Sequence, residues 1–226
     1  MNRIIQRAKK EDRSLLETEA KELLREYDIP VPDFRLIKSE EGISGLAREI
    51  NFPIAMKIVS PDIIHKSDAG GVKIGLKDEE EAKFAYKEII RNIKNYNKVA
   101  RIEGVIAYPV IPKEVEVIVG MIKDPHFGPV AMFGMGGIYV EVLKDVSFRI
   151  IPLKKRDAQE MISEIKGYEI LKGIRGEPPR DIKAIEEVLM KVSKLAMENP
   201  EIKEIDLNPI FVFERGLQVI DARMIL

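Results

Sequence analysis

The sequence predicts an α+β fold, and three patterns carry that expectation. The first hundred residues alternate short strand runs with amphipathic helical stretches. The middle holds four apolar, β-branched runs separated by turn residues, which reads as an antiparallel strand block. The last third returns to helix and closes on two strands. A chain of 226 residues can bury a full core, as one large domain or as two lobes sharing one.

Taken in order, residues 14–27 predict a helix. Ser14 and Glu17 have capping-box spacing, and Leu15, Leu16, Leu23, Leu24 and Tyr27 share a face. Pro30 and Pro32 stop it. Residues 34–37 read as a short strand, and Ile43, Leu46, Ala47 and Ile50 mark a second helix that ends before Pro53. In the run IAMKIV, residues 54–59, Ile54, Met56 and Ile58 point one way and Ala55, Lys57 and Val59 the other. A polar loop over 61–72 then runs through a glycine pair into a strand. Ala82, Ala85, Ile89 and Ile93 are in register for a helix over 78–95. GVIAYPVIP, VEVIVGMI, PVAMF and IYVEVL form the strand-rich middle. Residues 157–198 are helical around the loop RGEPPRD, and IKEIDLNPIFVF and LQVIDARMI close the chain as a hairpin turning at Gly216.

Composition excludes several classes. Thirty-seven Lys and Arg stand against 38 Asp and Glu, without the basic surplus of a general nucleic-acid binder. Cysteine is absent, so disulfides, thiolate metal sites and thiol catalysis are excluded. The first residues, MNRIIQRAKKEDRS, have no apolar run of signal-peptide length, and no stretch approaches the roughly 18 apolar residues of a membrane span. The expectation is a cytoplasmic protein without a membrane or nucleic-acid partner.

Several positions stand out. Lys57 sits mid-strand among apolar neighbours, and a buried lysine needs an anionic partner such as a phosphate. The following loop holds His65, Lys66, Ser67 and Asp68 before Gly70 and Gly71. Glycines let backbone amides approach phosphate closely, although the full G-x-x-x-x-G-K-[ST] loop is absent. His65 beside that loop is a candidate nucleophile, whereas His126 sits in an ordinary turn. A second glycine cluster, Gly134, Gly136 and Gly137, lies between strand runs, with Glu141 and Asp145 behind it as supporting acids. Near the end, Asp206 and Asn208 share a strand face, and Asp221 lies on the next strand. Two or three oxygen ligands, with phosphates and water, suit Mg²⁺; an ordinary polar strand end is the plainer alternative.

The stretches KIVSPDIIHKSDAGGVKIGL, YPVIPKEVEVIVGMIKDPHFGPVAMFGMGGIYVEVLKD and EIDLNPIFVF with VIDAR resemble the ATP-grasp fold. More narrowly they resemble the β subunits of ADP-forming acyl-CoA synthetases, also called ADP-forming acetate–CoA ligases. The resemblance covers essentially the whole chain. Succinyl-CoA synthetase β chains are similar in outline, but Ile64-His65-Lys66-Ser67-Asp68 replaces their glycine- and arginine-rich loop.

The resemblance implies two α+β lobes with nucleotide bound between them. The smaller lobe is expected over 28–107 and the larger over 1–27 plus 108–226. It implies the reversible reaction of acyl-CoA, ADP and phosphate to acid, CoA and ATP, and a CoA-binding α subunit in an α2β2 assembly. In it, His65 accepts the phosphoryl group and delivers it to ADP, and Lys57 with the amides at Gly70 and Gly71 holds nucleotide phosphates. Tyr108, Pro109, Val110 and Ile111 form the adenine hinge, and Glu114, with Glu116 as a weaker candidate, binds ribose hydroxyls. Asn208 and Asp221 hold Mg²⁺, and Asp206 binds metal or orients the phosphohistidine. A nucleotide-binding regulatory module without turnover and a stand-alone ATP-grasp ligase are the alternatives.

Overall fold

Two antiparallel sheets organise the chain in a computed structural model, which describes residues 2–137 and 144–226. They belong to two compact units, Met1–Val31 with Lys113–Leu226, and Pro32–Pro112.

The chain starts with a helix that the apolar spacing does not predict, α1, Arg3–Lys10. Asn2 caps it, its side chain accepting from Ile4 N at 2.8 Å, and Arg7, Lys9 and Lys10 suit the negative end of the helix dipole. Only Ile5 and Ala8 are buried, too few for a periodic signal. The next helix, α2, spans Glu17–Glu26. Ser14 and Glu17 do not cap it. Glu19 instead accepts the Leu16 N–H at 2.9 Å, and Arg13 clamps both Glu19 oxygens at 2.6 and 2.8 Å. Beyond it Ile29 is buried in the larger core and Val219 N donates to Pro30 O at 2.9 Å. These contacts hold the chain in the larger unit to Val31 rather than releasing it at residue 28.

The smaller unit contains β1 (Arg35–Ile37), β2 (Ile54–Val59), β3 (Val72–Leu76), α3 (Glu79–Tyr96) and β4 (Gly104–Pro109). The sheet order is β1-β4-β2-β3. Asp78 caps α3 through Glu81 N at 2.9 Å. Ala82, Ala85, Ile89 and Ile93 pack with Ile54, Met56 and Ile58, the strand face that alternation assigns to the core. The helix expected near 43–50 is instead two short 3-10 turns, Glu40–Ile43 and Leu46–Arg48. Gly45 between them has φ +87°, so the chain bends, while Ile43, Leu46 and Ile50 are still buried. The first middle run is β4, which pairs with β2 here. Val110 N donates to Pro53 O at 2.8 Å, and this unit extends to Pro112, past the expected 107.

The larger unit contains β5 (Val115–Asp124), β6 (Gly128–Met135), β7 (Val146–Ile150), α4 (Lys155–Glu164), α5 (Tyr168–Leu171) and α6 (Ile182–Glu198). It ends with β8 (Glu204–Val212), β9 (Leu217–Val219) and β10 (Ala222–Ile225). The order is β10-β8-β5-β6-β7, with β9 also on β8. Val117, Val119 and Met121 of β5, Phe133 of β6 and Leu207 of β8 face a core shared with α2, α4 and α6. The strand VSFRI is not among the runs that the sequence predicts, and the expected run IYVEVL, 138–143, lies outside the described residues. The expected last strand divides into β9 and β10 at Ile220 and Asp221.

Candidate functional site

On the larger sheet, alternation puts Asp206 and Asn208 on the face away from the core, because Ile205 and Leu207 point into it. Asp206 is in register with Arg223 of β10 and with Gly120 of β5. Gly120 has no side chain, and the Met132 methyl packs over it, 3.1 Å from where a Cβ would stand. The β8–β10 ladder ends at Leu207 and Ala222, and just beyond it Asn208 N donates to Asp221 O at 3.3 Å. The division of the last strand therefore makes Asn208 and Asp221 neighbours on the face that carries Asp206. Asp221 Oδ1 accepts from Ala222 N at 2.9 Å, which fixes its carboxylate. Burial raises the Asp206 pKa above its ordinary value; Glu204 and Asp221 add to the rise and Arg223 opposes it.

One carboxylate, one amide oxygen and a nearby acid form a hard-oxygen set. Among the described residues no three His, Cys, Asp or Glu side chains form a metal cage. The hard-oxygen set is of the kind that suits Mg²⁺, which takes one or two carboxylates together with phosphate and water oxygens.

At the other end of β5, Glu114 and Glu116 each have their own cation. Arg180 Nη2 lies 3.2 Å from Glu114 Oε2, and Lys113 Nζ lies 3.0 Å from Glu116 Oε1. Glu116 also underlies the second glycine cluster. Gly136 N donates to Glu116 O at 2.8 Å, and Cβ atoms at Gly136 and Gly137 would come within 2.9 Å of the Glu116 side chain. Asp145, expected as a supporting acid, caps a turn by accepting Lys166 N and Gly167 N at 2.7 and 2.6 Å. Glu141 lies outside the described residues. Arg180 was missed. It is the next-to-last residue of the RGEPPRD loop, and the available signal was Asp181, an N-cap residue directly before the apolar run of α6.

In the smaller unit Lys57 is 9% exposed and faces away from α3. Its Nζ lies 5.3 Å from the centre of the Tyr108 ring, a cation–π distance. Tyr108 and Pro109 end β4; Val110 and Ile111 follow, and the Val110 N–H is committed to Pro53. Between β2 and β3 the loop is pinned at both ends. Ile63 and Ala69 are buried, and Asp62 accepts from Arg101 N at 2.7 Å and from its guanidinium at 2.9 Å. His65 lies between the pins and is exposed. Gly70 N donates to Ser67 O at 2.9 Å and Gly71 N to Lys66 O at 2.8 Å. The two amides expected to cradle phosphate are thus used inside the turn. Gly70 supplies φ +65°, and a Cβ on Gly71 would lie 2.6 Å from Ile58 Cγ2, so both glycines shape the loop that displays His65.

Over residues 6–226 the chain matches the family described as ATP-grasp domain. It is 57% identical over 223 residues to acetate–CoA ligase (ADP-forming) I subunit beta of Pyrococcus furiosus, covering 99% of this chain and 96% of that protein. The dinucleotide forming acetyl-coenzyme A synthetase 1 of Ca. Korarchaeum cryptofilum, solved with coenzyme A and Ca-AMPCP, superposes with a TM-score of 0.95 at 49% identity, over 98% of this chain and 97% of that one. A second structure of that enzyme holds coenzyme A and Mg-AMPPCP, with its phosphohistidine segment pointing towards the nucleotide binding site. It superposes at TM-score 0.87 and 46% identity, over 99% of this chain and 98% of that one.

Proposed function

Because the chain belongs to the ATP-grasp family, and within it to the β subunits of ADP-forming acetate–CoA ligases, we propose how its residues divide the work. The protein is the nucleotide-binding subunit of a ligase for the reversible conversion of acyl-CoA, ADP and phosphate to acid, CoA and ATP. It acts with a partner subunit. We assign that partner CoA binding and the assembly an α2β2 composition, and we place the enzyme in the cytoplasm. Among the described residues no helix is long and apolar enough to cross a membrane.

His65 carries the phosphoryl group. The observation behind this assignment is its loop: buried Ile63 and Ala69 fix both sides while His65 itself is exposed. In ATP synthesis a terminal phosphate oxygen of ADP attacks phosphorus, the N–P bond breaks, and the imidazole takes up one proton. In the other direction neutral imidazole attacks the γ-phosphorus and ADP leaves. Such transfer needs placement and charge neutralisation more than covalent help. Lys57 supplies positive charge to the phosphates, with Tyr108 lying against its ammonium. Val110 C=O and Ile111 N–H read the adenine edge, with Tyr108 and Pro109 as apolar walls. Glu114 binds the ribose hydroxyls. Asn208 and Asp221 hold Mg²⁺, which neutralises phosphate charge when bound, and Asp206 orients the phosphohistidine.

The test is phosphorylation with Mg²⁺ and γ-labelled ATP beside a His65→Ala variant. Acid-labile, base-stable label on the wild type alone supports the assignment. Equal label on both proteins overturns it. If neither is labelled, repeating the assay with the partner subunit separates an acceptor completed by that subunit from a chain that only binds nucleotide.

A further inference from the structure

Arg180 belongs to none of the motifs that carry the resemblance, yet its surroundings are built. Its backbone N–H donates to Leu171 O at 2.8 Å, and its carbonyl accepts from Ile182 N at 2.9 Å. The next residue locks the frame further. Asp181 N donates to Phe213 O at 2.8 Å, Oδ1 caps α6 through Ala184 N at 3.0 Å, and Oδ2 accepts Gly216 N at 2.7 Å. The end of α5, the start of α6 and the β8–β9 turn thus fix where the guanidinium goes.

The side chain is 9% exposed, and its Nη2 lies 3.2 Å from Glu114 Oε2. Its other acidic neighbour, Glu177, is 3.5 Å away on a largely exposed side chain and is screened by water. Nε is buried and has no acceptor among the described residues. Nε and Nη2 lie on one edge of the guanidinium plane, the edge that grips a carboxylate at two points. A buried donor without an acceptor is costly, so a guanidinium held this way implies a use for its second point.

We propose that Arg180 is a positioning residue that holds Glu114 oriented for the ribose hydroxyls of a nucleoside diphosphate, its free Nε–H completing the grip on Glu114 when nucleotide binds. The inference rests on the reading of Glu114 as the ribose acid. Its content is geometric: a lysine would supply the charge but not the fork.

The experiment compares calorimetric affinities for ADP and 2′,3′-dideoxy-ADP, using the full chain with its partner subunit. The quantity read is the ratio of the two dissociation constants. Glu114→Ala tests the underlying reading and should reduce the preference for ADP by about tenfold, the value of one charge-assisted hydrogen bond. Arg180→Met should reduce the same ratio comparably, Arg180→Lys by less, and Arg180→Met should add nothing to Glu114→Ala. Equal weakening of both ligands by Arg180→Met would mark a merely structural role and overturn the inference. If Arg180→Met does not fold, Arg180→Lys decides: a reduced ratio supports the fork and an unchanged one overturns it. A ratio insensitive to Glu114→Ala removes the ribose reading. If Arg180→Met still reduces it, Arg180 touches the sugar itself and is not a positioning residue.

Discussion

The backbone N–H of Asn208 donates to the backbone carbonyl of Asp221 at 3.3 Å, one step past the last paired residues of β8 and β10. That bond makes an amide and a carboxylate neighbours on the face that carries Asp206. It predicts that Asn208→Ala and Asp221→Asn each raise the Mg²⁺ concentration needed for half-maximal phosphoryl transfer, by at least about tenfold. Titrating Mg²⁺ in the labelling assay reads this directly. An unchanged requirement in both variants would put the metal elsewhere.

Lys57 is nearly buried, with its ammonium against Tyr108. Lys57→Met keeps the volume and removes the charge. Nucleotide affinity should fall by about tenfold to a hundredfold, since charge-assisted hydrogen bonds to phosphate are lost. The melting temperature should hardly move. A stable variant with wild-type ADP affinity would sink the phosphate role.

Gly71 admits no side chain. A Cβ there would lie 2.6 Å from Ile58 Cγ2 and 3.0 Å from Lys66 O. Gly71→Ala must push the His65 loop off β2, at a cost of about 1–3 kcal/mol by the usual scale of overpacking. Denaturant unfolding measures the loss, and phosphorylation of His65 should fall with it. Full stability in this variant would mean that the loop does not pack as described.

The raised pKa of Asp206 has a signed consequence for stability. The folded state holds this proton more tightly than the unfolded chain does, so stability falls as pH rises from the unfolded value through the folded one. Asp206→Asn removes that penalty. Without Mg²⁺, the variant should melt higher than wild type at neutral pH, and the difference should disappear below the unfolded carboxylate pKa. Melting curves at several pH values check the direction. A variant that melts lower at neutral pH would show that the ionised carboxylate stabilises the fold.

Many of the candidate residues are legible in residue order because their surroundings are local. Lys57 alternates with core residues along one strand, so period alone assigns it a face. His65 lies within a few residues of its loop's two pins, and Asp206 and Asn208 share a face for the same reason as Lys57. The strands β4, β5 and β6 follow from their apolar, β-branched runs and α3 from apolar periodicity, and the long motif stretches carry the family resemblance.

What residue order does not contain is pairing. Two glycines in a polar loop predict free amides, but their N–H groups are used by Ser67 and Lys66 because the turn closes on itself. Apolar spacing predicts a helix near 43–50, but a left-handed Gly45 makes two turns that bury the same side chains. Arg180 and Glu114 are far apart in the chain, and neither has a local pattern naming the other; only the docking of α5, α6 and the β8–β9 turn brings them to 3.2 Å. Residue order carries alternation, burial by period and the family resemblance, since those depend on near neighbours. Which hydrogen bonds are already satisfied and which distant charges meet follow from tertiary packing, since they depend on how the elements dock.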